Sequence, residues 1–302
     1  MKVLVVDDNR VDRAHIRRIV ERMPQGYKVD EAGDAGEALQ RLLDSDYVCV
    51  FLDFMLPDMN GAELVRTLQE RMTAAPPVIL LSNSDDDTTI QDCLKSGAQD
   101  YLLKGEVSPS LVSRALRYAL ERHRREAEIR YLATHDSLTA LFNRSFFNQY
   151  LEKAIERSAR HSTMLGLLFV DLDKFKPIND EYGHEAGDAV LREVAARLVS
   201  AVRKADLVAR LGGDEFVVLL EDIRDAGDLH DIGLKLLASL RAAIPIKLAE
   251  VSVTPSIGMT MHPRPGGPER IRAGDLLKQA DHAMYQAKAN GKNTLVEYTE
   301  HG

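Results

Sequence analysis

A chain of 302 residues with 45% apolar and 28% charged side chains is long enough for two domains with separate cores and has the make-up of an ordinary soluble globular protein. Its net charge of -8 argues against general nucleic-acid binding, so DNA is not an expected partner. No apolar stretch is long enough to cross a bilayer, and Met1-Lys2-Val3-Leu4-Val5-Val6-Asp7-Asp8 reaches acids too soon for a signal peptide, so a cytoplasmic protein without membrane insertion is expected. From the amino terminus, strand-like runs fall at Val3 to Val6, more weakly at Lys28 to Glu31, then at Val48 to Leu52, Val78 to Leu81 and Tyr101 to Leu103. Helical periodicity fills the gaps, as in Ala35, Ala38, Leu39, Leu42 and Leu43. That βαβα rhythm predicts an α/β unit with a parallel sheet covered on both faces and functional groups at the carboxyl ends of its strands. Cys49 and Cys93 lack metal-ligand spacing and sit in apolar-periodic surroundings, which reads as buried reduced thiols.

Asp7, Asp8, Asp53, Ser82, Tyr101 and Lys104 are expected at the ends of successive strands of that sheet. Three acids converging at one edge repel unless a cation neutralises them, and a nearby lysine and hydroxyl suit a transferred phosphoryl group. The constellation resembles the receiver domain of bacterial response regulators, with Phe51-Leu52-Asp53-Phe54-Met55-Leu56-Pro57-Asp58-Met59-Asn60-Gly61 as its most specific segment. The resemblance implies a flavodoxin-like, doubly wound receiver over residues 1–120. It also implies that Asp53 accepts a phosphoryl group from a histidine kinase or phosphotransfer protein. By the same resemblance Asp8, Asp53 and the Met55 carbonyl hold Mg2+, with Asp7 helping through a water; Lys104 pairs with the phosphoryl oxygens, and Ser82 and Tyr101 form the switch. Two positions depart from the family pattern: Gly105 follows Lys104 where proline is usual, and Asn83 follows Ser82 where a small residue is common.

Pro109 is expected to open a helix running without glycine or proline to Thr134, a linker over 108–134 continuous with the last receiver helix. Its seam of Val112, Ala115, Ala119, Arg122, Glu126, Ile129 and Ala133 includes two charges, so it reads either as a weak coiled coil or as a solvated amphipathic connector. Beyond it the pattern is helix, strand, two helices, hairpin, helix, strand, helix and strand, an α+β order with an antiparallel component. Pro263 to Pro268 reads as an exposed loop. The hairpin is Arg210-Leu211-Gly212-Gly213-Asp214-Glu215-Phe216, with alternation before it and Phe216-Val217-Val218-Leu219-Leu220 after it, so the four residues Gly212 to Glu215 are expected at the tip. Glycines there let a phosphate approach the backbone, and adjacent acids suit a hard divalent cation. Taken alone, those four residues read better as an ordinary Gly-Gly turn with solvated acids.

Their company changes that reading. Val170 to Asp188 forms a second strand ending in acids and running into a polar helical start, and Tyr285-Gln286-Ala287-Lys288-Ala289-Asn290-Gly291-Lys292-Asn293 follows downstream. Together with the hairpin these segments resemble the GGDEF family of diguanylate cyclases over about Asp136 to Tyr298. The resemblance implies a GGDEF domain over 135–300, similar to the palm of nucleotidyl cyclases and polymerases. It further implies Mg2+ or Mn2+ held by Asp171, the Leu172 carbonyl and Asp214, with Glu215 as second metal ligand or as the base for a ribose hydroxyl. Gly212 and Gly213 then lie against GTP, Lys176 stabilises phosphate charge, and Lys288 and Lys292 reach the terminal phosphates. Asn179 and Asp188 read guanine, whose adjacent N1–H and amine donors suit a carboxylate; His184 either touches the nucleotide or merely starts a helix. Lys292 stands where arginine is frequent, and Ala140 and Phe142 stand where glycine and proline are common.

Arg203-Lys204-Ala205-Asp206 ends shortly before the hairpin, and by resemblance Arg203 and Asp206 hold cyclic di-GMP in an inhibitory product site. The other reading is a surface ion pair. The implied protein is a phosphorylation-controlled diguanylate cyclase of a two-component system that turns two GTP into cyclic di-GMP and two pyrophosphates, with product feedback. It would act as a homodimer or higher homo-oligomer. The alternative is a catalytically silent effector that binds cyclic di-GMP.

Overall fold

Val3 and Val5 leave their strand on one side and Leu4 and Val6 on the other, and all four are buried, which demands apolar cover on both faces of the sheet. The computed structural model describes residues 1–72, 74–83, 95–247, 249–263 and 270–299, so Cys93 and most of the loop expected after Pro263 lie outside the described residues. It divides into two units, Met1–Ile129 and Arg130–Gly302.

In the first unit β1 (Lys2–Val6), β2 (Lys28–Ala32), β3 (Cys49–Asp53), β4 (Val78–Ser82) and β5 (Asp100–Leu103) form a parallel sheet in the order β2-β1-β3-β4-β5. Leu4, Val6, Leu52 and Leu80 meet Ala38 and Leu42 of α2 (Ala35–Asp44) and Leu64 and Leu68 of α3 (Gly61–Arg71). On the opposite face Val3, Val5, Phe51 and Ile79 meet Ile16 and Val20 of α1 (Arg10–Glu21) and Val112 and Leu116 of α4 (Pro109–Thr134). This is the doubly wound arrangement expected, with strand order reversing between β1 and β3, so that a crevice opens at the carboxyl ends of those two strands. Cys49 is buried and free, and burial pushes its thiol far up, as suits an inert core residue.

Helix α4 has the expected bounds, and the division between units falls within it. Val112, Ala115 and Ala119 of the expected seam are buried, whereas Arg122 and Glu126 pair with each other at 3.0 Å and Ile129 is exposed.

The second unit is a six-stranded sheet in the order β13-β12-β7-β9-β8-β6. Its strands are β6 (Phe142–Asn143), β7 (Met164–Asp173), β8 (Leu207–Gly212), β9 (Glu215–Ile223), β12 (Thr254–His262) and β13 (Leu295–Glu297), while β10 (Ile244–Pro245) and β11 (Glu250–Val251) form a separate small pair. The central β12-β7-β9-β8 run is antiparallel and both outer strands are parallel to their neighbours. Leu168, Val170 and Val218 pack against α6 (Phe175–Tyr182), α7 (His184–Ala201) and α8 (Ala226–Arg241), and Leu167, Phe169 and Val217 against α5 (Arg144–His161) and α9 (Ala273–Ala289). Helix α9 lies close on β12, where a Cβ on Gly258 would sit 2.1 Å from the Ala280 carbonyl oxygen. The α+β order is as expected. The three two-residue strands were not, because two residues show no alternation to read.

Candidate functional site

Each unit brings carboxylates together at strand ends. In the first, Asp7 follows β1, Asp8 is exposed beside it and Asp53 closes β3; ligand oxygens of the three lie within 4.8 Å of one another. Asp7 Oδ1 accepts the Asn9 amide at 2.8 Å, and Asn9 in turn caps α1 by accepting from the Val11 amide. Lys104, just past β5, sets its Nζ 2.7 Å from Asp7 Oδ2 and 2.9 Å from Asp53 Oδ2. Asp7, Asp8 and Asp53 together make an oxygen donor set that fits a hard divalent cation, with the Lys104 ammonium paired to two of them.

Burial pushes the Asp53 carboxyl above its ordinary range; the Lys104 bond draws it back in part, and the Asp7 charge adds to the rise. Met55, exposed, donates its amide to Asp53 Oδ1 at 3.3 Å. Ser82 ends β4 one residue beyond Leu81, the register partner of Asp53. Tyr101 is the second residue of β5, level with Leu80, and its ring packs half-buried against the Leu80 cluster. A fourth acid, Asp12 on the first turn of α1, reaches Lys104 Nζ at 3.5 Å.

In the second unit the β8–β9 hairpin is tighter than expected. Gly212 pairs with Glu215, so only Gly213 and Asp214 form the tip, and φ of +143° at Gly212 requires glycine while +53° at Gly213 favours it. Three groups hold this tip rigid. Arg210 donates from Nε and Nη2 to the Gly213 carbonyl at 3.0 and 2.8 Å and from Nη1 to both Asp136 oxygens at 2.9 and 3.1 Å. Arg144 donates to the Leu211 carbonyl at 3.0 Å and to Glu215 Oε2 at 3.3 Å. The Leu172 amide donates to the Asp214 carbonyl at 3.3 Å, tying the tip to β7. Burial works to raise the Asp136 carboxyl, but bonds from Thr139 and Arg210 outweigh it and hold the group below its usual range. Sequence reasoning gave Arg210, Asp136 and Arg144 no role; a lone arginine in an apolar strand, 74 residues from its acid partner, carries no local signal of the pair.

Asp171 is the register partner of Glu215 across β7 and β9, which brings it alongside Asp214 and Glu215. Its Oδ2 lies 2.7 Å from Lys288 Nζ. Burial raises the Asp171 carboxyl, the Lys288 bond opposes that, and the Asp214 and Glu215 charges add to it. Lys288 is thus paired with an acid, because the last turn of α9 ends beside β7. Lys292 stays exposed on the turn after α9. Lys176 is exposed on the first turn of α6, and His184 is the exposed first residue of α7 after Gly183, the helix-start position.

Asn179 packs against α7 where Gly187 leaves room, since a Cβ there would lie 1.9 Å from Asn179 Oδ1. Asp188, half-buried and 3.9 Å from Arg192, lines a cleft of about 550 Å³ with Tyr182, Glu185, Ile246 and Lys247. Arg203 and Asp206 line a separate groove of about 440 Å³ with Leu141, Phe142 and Val199. There Asp206 Oδ2 accepts the Arg203 backbone amide at 2.8 Å, so the carboxylate shapes the turn instead of pairing with the guanidinium.

The family model described as "Diguanylate cyclase, GGDEF domain" matches residues 133–294, and that of the response regulator receiver domain matches 3–116. The chain is 42% identical over 179 residues to the diguanylate cyclase TpbB of Pseudomonas aeruginosa, covering 58% of this chain and 40% of that protein. It is 30% identical over 318 residues to the response regulator PleD of Caulobacter vibrioides, covering 98% of this chain and 65% of PleD. The chain therefore spans less than two thirds of the length of either relative. Among solved structures, the coiled coil and GGDEF domain of DgcB from Caulobacter crescentus in complex with c-di-GMP superposes with a TM-score of 0.52 at 27% identity, over 62% of this chain and 99% of that one.

The acid cluster of the first unit makes a stability prediction. Because its folded pKa lies above the unfolded value, ionised Asp53 weakens the fold at neutral pH, and the penalty fades as pH falls through the folded value and is gone below the unfolded carboxylate value of about 3.9. Without metal, Asp53→Asn should melt a few degrees above the wild type at pH 7, and the gap should narrow on acidification. Adding Mg2+ should raise the wild-type midpoint more than that of the variant. An equal Mg2+ response in calorimetry would remove Asp53 from the cation site.

Proposed function

The chain belongs to the GGDEF family, here with a response regulator receiver domain ahead of the GGDEF domain, and from that premise we propose that it is a phosphorylation-controlled diguanylate cyclase. The observation that carries the reading is the register of Asp171 with Glu215, which sets three carboxylates beside a rigid glycine tip. The positive charge that Lys288 already places 2.7 Å from Asp171 supports cation binding at the same acids. Asp171, Asp214 and the Leu172 carbonyl would hold Mg2+ or Mn2+, which would supply positive charge against the oxygens of a reacting phosphate.

The chain's own groups then bind and orient. The Gly212 and Gly213 backbone admits the α- and β-phosphates without a side chain in the way, and Lys176, Lys288 and Lys292 offset phosphate charge. Asn179 and Asp188 take the guanine edge, Asp188 accepting from N1–H and the exocyclic amine. The 3′-oxygen of one GTP bonds to the α-phosphorus of the other as the bond to the bridging β-phosphate oxygen breaks, pyrophosphate leaves, and the hydroxyl proton passes to Glu215 or to water. Each GTP serves once as attacker and once as target, so two chains supply one GTP site each, and a homodimer or higher oligomer is the working form.

Control starts at Asp53. A carboxylate oxygen bonds to the phosphorus of a phosphohistidine on a histidine kinase or phosphotransfer protein as the P–N bond breaks, and Lys104 shifts to the new phosphoryl oxygens. Ser82 and Tyr101 follow that charge, and receiver pairing raises the effective concentration of the GGDEF domains. Among the described residues no helix is long and apolar enough to cross a membrane, which supports a cytoplasmic location. Cyclic di-GMP in the Arg203–Asp206 groove provides feedback, with arginine forking onto guanine O6 and N7.

Three experiments test this reading. Asp214→Asn should keep the fold and lose about a thousandfold in product formation with GTP and Mg2+; near wild-type turnover would sink the metal assignment, and a wild type that binds cyclic di-GMP without forming it would favour the silent effector. Beryllofluoride with Mg2+ should increase dimerisation and cyclase rate together, and Asp53→Asn should abolish both responses. Arg203→Ala should flatten the inhibition by added cyclic di-GMP while initial rates stay intact; unchanged inhibition would leave Arg203 without a part in feedback.

A further inference from the structure

Asp173 stands two residues beyond Asp171 on the same face of β7 and is buried. All its bonding capacity is turned inward. Oδ1 accepts from the Ser256 hydroxyl at 2.7 Å, and Oδ2 accepts from the Thr254 hydroxyl at 2.8 Å and from the Asn293 amide at 2.9 Å. Two donors come from the neighbouring strand β12; the third is the backbone of the turn that follows α9.

That turn has reason to need a clamp. Gly291, Lys292 and Asn293 all have positive φ, at +102°, +65° and +49°. A side chain is disfavoured in this region, more at Lys292 than at Asn293, so the conformation is one that surrounding bonds have to hold. Asp173 holds the Asn293 amide from inside, and Arg241 of α8 holds Asn293 from outside, donating to its Oδ1 at 2.6 Å and its carbonyl at 2.8 Å. The Lys292 amide closes back on the Ala287 carbonyl at 3.1 Å. One strand face thereby fixes both ends of a short segment: Asp171 takes the Lys288 ammonium, and Asp173 takes the Asn293 backbone.

We propose that Asp173 is a positioning residue for the triphosphate side of the nucleotide site: by clamping the Asn293 amide it fixes the turn that presents Lys292. The proposal rests on the cyclase reading above for what Lys292 meets. A lysine has a long flexible stem, so where its charge stands depends first on where its backbone is held. With the turn fixed beforehand, binding does not have to order it.

The test is a double-mutant cycle in the full chain, reading pyrophosphate release at varied GTP. Asp173→Ala and Lys292→Ala should each raise KM by about tenfold with kcat changed less than about threefold, and the double variant should be no worse than Lys292→Ala alone. Asp173→Asn should restore KM to within about twofold, because its carboxamide oxygen still accepts from Thr254 and Asn293 while its amine donates to the Ser256 hydroxyl. Arg241→Ala, which opens the same turn from the solvent side without emptying the core, should raise KM in the same non-additive way. Amide exchange over residues 291–294 should quicken by about tenfold or more in Asp173→Ala while β7 stays protected. Additive KM effects, or a fall in kcat alone, would overturn the proposal. Unchanged exchange would overturn it whether or not the protein makes cyclic di-GMP, whereas a wild type that releases no pyrophosphate would overturn the cyclase reading and leave the clamp to stand on the exchange rates.

Discussion

A buried carboxylate at or near the carboxyl end of a strand, kept tolerable by a single lysine, is the interaction on which both units of this protein turn. In the first unit it is Asp53 with Lys104 at 2.9 Å; in the second it is Asp171 with Lys288 at 2.7 Å. Burial raises both acids, and in both the lysine opposes the rise while neighbouring acids add to it. An unpaired buried charge costs several kcal/mol, more than a marginally stable fold can lose at two places. Each lysine therefore lets an acid-rich edge exist before any ligand arrives. Lysine suits the task better than arginine: it is a point charge on a flexible stem, able to turn from a carboxylate to an incoming phosphate oxygen without breaking a two-pronged grip.

Around the second of these acids the backbone has been made stiff where its own residues are loosest. Gly212 and Gly213 are free to take left-handed conformations, and freedom alone would leave the Asp214 carboxylate wandering. Arg210 removes it by gripping the Gly213 carbonyl while Asp136 grips Arg210, and Arg144 holds the far side at Leu211 and Glu215. Groups fixed before substrate binds need not be ordered during reaction, which is where electrostatic stabilisation draws its strength. The segment Asp136 to Arg144 thus matters to the tip although none of it touches the tip's acids except Arg144.

The elements that sequence made legible are those with long alternation or helical period. The apolar run at Val3 to Val6 and the helix from Pro109 to Thr134 were both readable, because burial on a face repeats with a fixed step. The acids Asp7, Asp53, Asp171 and Asp214 were readable for a related reason: each breaks an apolar strand pattern at its end. Partners distant in sequence were not. Nothing near Lys288 reports that Asp171, on another element, will take its charge, and nothing near Asp173 announces the Asn293 amide 120 residues away.

The charge count around Lys104 carries the argument one step further. Asp7, Asp12 and Asp53 all reach its ammonium, at 2.7, 3.5 and 2.9 Å, and Asp8 stands close by, so the edge already holds four acids against one lysine. A phosphoryl group on Asp53 would add nearly two more negative charges. That excess cannot be absorbed in place: a cation has to enter among the carboxylates, Lys104 has to leave Asp7 or Asp12 for the phosphoryl oxygens, and the ends of β4 and β5 that carry Ser82 and Lys104 have to follow. The acids of the GGDEF domain stand beside a tip that is clamped in advance, so on the proposed reading they would need no such rearrangement. On the proposed reading, a receiver whose charge imbalance forces a surface change would make association the natural variable for phosphorylation to control.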